Sequence, residues 1–118
     1  MIKEKDAAVQ FSQVGESLLA LISGEIDHHT AKPLREAIDK QMYALTPKEV
    51  TIELSGVGFM DSSGLGLVIG RLVTAKEVGC TLTLTGVDTR TMRIFEMAGL
   101  ERMRGLTICR QEKGKNGK

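Results

Sequence analysis

The sequence predicts a single α/β domain with a mixed sheet of four to five strands: an N-terminal hairpin, then β-α repeats, with helices mainly on one face. Three observations carry this reading. Strand-like and helix-like apolar periods alternate along most of the chain. Two strand-like runs adjoin at residues 8–14 and 17–23, separated only by Gly15-Glu16, a two-residue connection suited to a tight hairpin. The later strands alternate apolar and polar positions, so one sheet face is left without a helical cover.

Taken in order, Val9 and Phe11 alternate with Gln10 and Ser12, which gives the first strand one wet face. The second run, Leu18-Leu19-Ala20-Leu21-Ile22, is apolar on both faces and is expected at the centre of the sheet. Gly24-Glu25-Ile26-Asp27-His28-His29-Thr30 then leads into a helix that Asp27 or Thr30 can cap, with Pro33 tolerated in its first turn. Ala31, Leu34, Ala37, Ile38, Met42 and Leu45 form its apolar stripe, Lys32, Arg35, Glu36, Asp39 and Lys40 face water, and Pro47 marks its end. In residues 50–54, Val50, Ile52 and Leu54 alternate with Thr51 and Glu53 as a third strand.

A second helix over residues 63–78 is expected to be the most buried, with Leu65, Val68, Ile69, Leu72, Val73 and Ala75 inward. Arg71, Thr74, Lys76 and Glu77 are its polar remainder, and Gly79 stops it. Residues 81–85 alternate strictly as a strand. A third helix runs from Asp88 or Thr89 to Ala98, with Met92, Phe95 and Ala98 inward and Gly99 closing it. Residues 106–109 read as a short last strand. One domain over 1–118 is expected, with its folded core at about 8–109 and a flexible Lys- and Gly-rich tail at 110–118.

Composition narrows the function classes. A hydrophobic content of 42% with 26% charged residues is that of an ordinary soluble domain, and the net charge of +1 exerts no general pull on nucleic acid or anionic membrane. With three Phe, one Tyr and no Trp, a base-stacking platform is not expected. No apolar run approaches a membrane span, and the charged start of the chain does not read as a signal peptide. Cys80 and Cys109 lie far from any metal-ligand spacing and read as reduced, buried thiols of a cytoplasmic protein.

Functional groups in parallel sheets gather beyond the C-terminal ends of the strands. Asp27-His28-His29, Asp61-Ser62-Ser63 and Asp88-Thr89 all fall there. A serine nucleophile needs a base within hydrogen-bond reach and an elbow of the form Gly-x-Ser-x-Gly, and Met60-Asp61-Ser62-Ser63-Gly64 is not one. Adjacent His28 and His29 with Asp27 and Asp61 make a poor metal set. Gly64-Leu65-Gly66 lacks the Gly-Lys-Ser/Thr ending of a phosphate loop, and Asp61 lacks the acidic pair expected of a phosphoacceptor aspartate. Two readings remain for the serines. They can be helix caps, or one can be a phosphorylation site whose charge the helix start tolerates. Gly58, Gly64 and Gly66 favour something beyond a cap, because glycine in a first helical turn costs roughly 1 kcal/mol against alanine.

Phe59-Met60-Asp61-Ser62-Ser63-Gly64-Leu65-Gly66 and Gly24-Glu25-Ile26-Asp27-His28-His29-Thr30 resemble the two signature segments of the anti-sigma factor antagonists, the stand-alone STAS-domain proteins, and most of all their sporulation members. The resemblance extends to the helix of Arg71 and to the segment from Thr91 to Leu100, although the sporulation antagonists tend to finish with a further helix where this chain has a polar tail. It implies a non-enzymatic partner switch without metal or cofactor. The unmodified protein would bind an anti-sigma factor serine kinase of the GHKL ATPase type and release the sigma factor. Phosphorylation of Ser62 by that kinase would inactivate it, and a PPM-type, metal-dependent serine phosphatase would restore it. Asp27 would engage a basic residue of the kinase, with Asp61, Ser63, Gly64 and His28 in the same contact surface. Ser63 then becomes the expected cap, and Gly64 and Gly66 keep the approach to the helix open. The protein would act as a cytoplasmic monomer. A STAS module sensing a ligand or nucleotide, as in a stressosome scaffold, is the alternative.

Overall fold

The computed structural model describes residues 7–111. Gly15, at φ +59°, takes the left-handed turn that an L side chain resists, and this closes a hairpin between β1 (Ala8–Val14) and β2 (Ser17–Ile26). From there the chain alternates: α1 (His28–Leu45), β3 (Glu49–Met60), α2 (Ser63–Val78), β4 (Thr81–Val87), α3 (Thr89–Met97), a 3-10 turn at Leu100–Arg102, and β5 (Leu106–Arg110). The five strands form one sheet in the order β1-β2-β3-β4-β5. β1 is antiparallel to β2, and every other pairing is parallel. The fold is a mixed five-stranded sheet with three α-helices in a single α/β domain.

The register aligns apolar side chains across the strands. Ala20 pairs with Ile52, Ile52 with Leu84 and Leu84 with Ile108, while Leu18, Val50, Leu82 and Leu106 form the next such row. These rows join Leu34, Ile38 and Met42 of α1, Leu67, Val68 and Leu72 of α2, and Met92 and Phe95 of α3 in one core. Between them, Leu19 and Leu21 stand 37% and 39% exposed on the opposite face. β2 is therefore not buried on both sides, and the middle of the sheet is β3: apolar character ran through both faces of β2, but helices cover only one.

Several elements depart from the sequence reading. β3 continues to Met60, well past Leu54. Leu21 pairs with Glu53 but Ser23 with Gly56, and Gly24 pairs with Val57 but Glu25 with Phe59. Each step inserts one extra β3 residue, a bulge that lets an irregular stretch stay in the sheet. Gly56 allows the close approach, since a Cβ there would stand 3.0 Å from the Ile22 carbonyl oxygen. Pro33 lies in the second turn of α1, because the helix starts as early as His28. Arg71 and Thr74 are only 3% and 4% exposed, whereas Val73 is 55% exposed. α2 thus turns the Leu67, Arg71 and Thr74 side inward, and Leu67 is a core residue that the sequence stripe omitted. Asp39 does not simply face water either; it accepts from Arg71. Ala98 caps α3 on its exposed side, and Leu100 fills the core in its place. Cys80 is buried but Cys109 is exposed, since β5 is an edge strand and alternate residues point away from the core. β5 carries on through Arg110, and the remainder of the expected tail, 112–118, lies outside the described residues.

Candidate functional site

Two adjacent parallel strands end together. Ile26 pairs with Met60, and the Asp61 N–H donates to the Ile26 carbonyl at 3.1 Å, so the turns leaving β2 and β3 sit side by side. Asp27 opens one turn and Asp61 the other. The third polar cluster, Asp88-Thr89, leaves β4 on the far side of β3.

At the first turn Asp27 is the cap of α1. Its Oδ1 accepts from the N–H groups of His29 at 2.9 Å and Thr30 at 3.0 Å, satisfying donors that have no partner inside the helix. Thr30 returns the contact: its hydroxyl accepts from the Asp27 N–H and donates to the Glu25 carbonyl at 2.8 Å. The Thr30 N–H, above all, holds the Asp27 carboxyl below the usual carboxylate range, against an opposing push from partial burial and with help from the His29 N–H. His28 and His29 are exposed, their rings 4.0 Å apart and tilted by 37°.

At the second turn neither serine is the cap. Asp61 Oδ1 accepts from the Ser63 N–H at 2.7 Å, a short-range turn that aspartate makes readily. Ser63 is therefore not the expected cap. Ser62 has helical backbone angles, φ −64° and ψ −13°, makes no side-chain capping bond, and is exposed. Its carbonyl accepts from the Leu65 N–H at 3.0 Å, so the backbone is tied down while the hydroxyl is left to solvent. Among the described residues no histidine hydrogen-bonds to that hydroxyl, and no three His, Cys, Asp or Glu side chains are grouped to hold a metal ion.

The two glycines differ. Gly64 is buried, and a Cβ on it would overlap the sulfur of Met60, itself only 5% exposed. Gly64 thus makes internal room for Met60 and does not hold the approach open. A Cβ at Gly66 would meet nothing within 4 Å. Sequence reasoning missed three cations that lie beside these turns. Arg90 lies with its guanidinium carbon 5.5 Å from the centroid of Phe59, beside a small depression of about 70 Å3 lined also by Met60, Asp88 and Thr91. Lys32 and Arg35, read only as water-facing, line a groove shared with Ser63. Their spacing from His28 on one helical face was the available signal.

The site's turns, Asp27 and Asp61 with Ser62 between solvent and the start of α2, belong to a chain whose relatives are recognisable. A family model described as STAS domain matches residues 8–113. The anti-sigma F factor antagonist of Paenibacillus polymyxa is 32% identical over 83 residues, covering 70% of this chain and 71% of that protein. The anti-sigma-B factor antagonist of Listeria monocytogenes is 33% identical over 100 residues, covering 84% and 79%. Among solved structures, the anti-sigma factor antagonist SpoIIAA in its unphosphorylated form has a TM-score of 0.72 at 24% identity, covering 92% of this chain and 90% of that one. In its phosphorylated form the TM-score is 0.67 at 25% identity, with coverage of 92% and 94%. The fold, the family model and the sequence relatives agree: this chain belongs to the STAS-domain family of anti-sigma factor antagonists.

Proposed function

We propose that this protein antagonises an anti-sigma factor by binding it, and that phosphorylation of Ser62 ends the binding. The observation that carries the reading is an exposed Ser62 whose side chain makes no capping bond, in the Asp61 turn that lies beside the Asp27 turn. Such a serine can be modified without dismantling the helix start. A phosphate there adds about −1.5 to −2 charge, and the N-terminal end of α2 favours it by roughly 0.3–1 kcal/mol. In an interface the sign reverses. The dianion would be desolvated without a partner, and even about 3–4 kcal/mol of lost binding weakens a complex more than a hundredfold.

In this scheme the unmodified chain binds a GHKL-type serine-kinase anti-sigma factor in the cytoplasm and frees the sigma factor. That kinase transfers a phosphoryl group from ATP to the Ser62 Oγ, and a PPM-type phosphatase removes it. Asp27 faces a basic residue of the kinase, with Asp61, Ser63 and His28 around it and Gly64 beneath them. The protein is a bound partner and substrate, and performs no catalysis itself. SpoIIAA, known in both phosphorylation states, supports the reading by likeness. The decisive experiment is incubation with the organism's anti-sigma factor kinase and ATP followed by mass spectrometry. A gain of about 80 Da on Ser62, one phosphoryl group, that Ser62→Ala abolishes is expected. A stoichiometric, ATP-loaded kinase that leaves Ser62 unlabelled would refute the scheme.

A further inference from the structure

Beside the Asp27–Ser62 corner runs a groove of about 280 Å3 between α1 and α2, with Leu67 as its buried floor. His28, Lys32 and Arg35 wall it on the α1 side, and Ser63 and Gly66 on the α2 side. The four- and three-residue steps along each helix place these side chains on one face apiece. Two features leave the groove open to a charged partner. Lys32 and Arg35 are exposed, and among the described residues neither enters an ion pair; the pairs present are Lys48–Glu16, Arg71–Asp39 and Arg110–Glu96. Gly66, the fourth residue of α2, weakens the helix in which it sits, yet among the described residues nothing lies within 4 Å of where its Cβ would stand, as is also true of Gly70 one turn on. Gly64 is explained by Met60; Gly66 has no such internal reason.

We propose that an acidic segment of the anti-sigma factor partner docks in this α1–α2 groove, its carboxylates against Lys32 and Arg35 and its backbone closing on Gly66. The inference rests on the Asp27–Ser62 corner being a partner surface, and it gives that surface a polarity. An acidic corner continues into a basic groove, so the matching partner presents a basic residue followed by an acidic segment. A partner with that order reversed meets like charges at both ends. Complementarity of this kind sets orientation and association rate as well as affinity. The two cations and the chain's net charge of +1 are too little for a nucleic-acid track, which needs a run of phosphate contacts.

The test is a binding assay against the organism's purified anti-sigma factor kinase, using wild type, Lys32→Glu/Arg35→Glu, Gly66→Ala and Gly66→Gln. All three altered positions are exposed, so the variants should keep the wild-type melting temperature, with Gly66→Ala raised slightly. The charge-reversed and Gln variants should bind about tenfold more weakly, and the former should lose much of the salt dependence of the wild-type complex. Wild-type binding that none of the variants alters overturns the groove and leaves the corner reading in place. Absence of binding by wild type overturns both. If inorganic phosphate shifts the Ser63 and Gly66 amide resonances while the variants bind the kinase normally, the groove is a small-anion site and the proposal fails.

Discussion

At Ser62 the backbone is held by its own helix, the residue is exposed, and the capping bond at this helix start is made by Asp61 instead. The local capping bond thus belongs to Asp61, and the proposed switch to its neighbour Ser62. Ser62→Ala should change the unfolding free energy by less than about 0.5 kcal/mol, while Asp61→Ala should lose about 1 kcal/mol, both measurable by urea denaturation. Ser62→Asp should melt like wild type but bind the kinase at least tenfold more weakly, on the order of 1.4 kcal/mol. Unfolding by that substitution would mean that Ser62 is structural after all. Asp27 invites a pH experiment. Its folded-state carboxyl lies below the ordinary range because it accepts from Thr30 first and His29 after, and on unfolding it returns to that range. The unfolded chain therefore binds the proton first as pH falls. Asp27 contributes its charge-dependent stability fully above the ordinary carboxylate range, about pH 4, and loses it below. Thermal melts of Asp27→Asn against wild type should show a deficit at neutral pH that closes in acid. A gap that persists unchanged in acid would show that the carboxylate's charge is irrelevant to the cap.

The two helices whose starts carry the site are joined by side chains far from it. Arg71, 3% exposed, donates through Nε to Asp39 Oδ1 at 2.7 Å and through Nη2 to Oδ2 at 3.1 Å. Its Nη1 also donates to the Leu67 carbonyl at 3.1 Å. A second tie, from the Tyr43 hydroxyl to Glu77, lies further along the same helix pair and raises the Tyr43 phenol above its usual range, chiefly because the hydroxyl is hydrogen-bonded to that carboxylate. Two-pronged Arg–carboxylate geometry sets the rotation of one helix about the other more tightly than apolar packing does. Asp39→Ala would strand a buried guanidinium and should cost about 3 kcal/mol, seen as a lower urea midpoint at an unchanged slope. Arg71→Met with Asp39→Leu removes both charges and should recover most of that loss. A single variant as stable as wild type would show that the pair holds nothing. On the apolar wheel Arg71 had looked like part of the polar remainder of α2; its burial depends on a partner 32 residues earlier.

Across the whole molecule, three helices lie over one face of the sheet and the chain turns from strand to helix at one edge, so Asp27 and Asp61, distant in sequence, become neighbours. The cysteines offer a probe of the whole fold. Cys109 is exposed, whereas Cys80 is 8% exposed and burial pushes its thiol up. A thiol reagent should label Cys109 at once and Cys80 only as fast as the domain opens, a rate that Asp39→Ala should increase. Immediate labelling of both would contradict the burial of Cys80. The sequence by itself determined the element order and the hairpin at Gly15, because turn geometry and apolar period act within a few residues of one another, and its two signature segments carried the resemblance to the family. Only the tertiary structure decided that β2 has an open face, that β3 runs on through two bulges to Met60, and that Asp61 rather than Ser63 serves the start of α2. It alone put Gly64 under Met60, buried Arg71 against Asp39, and set Lys32 and Arg35 across from Gly66. These depend on strand register and helix rotation, which are fixed by packing among residues some thirty positions apart.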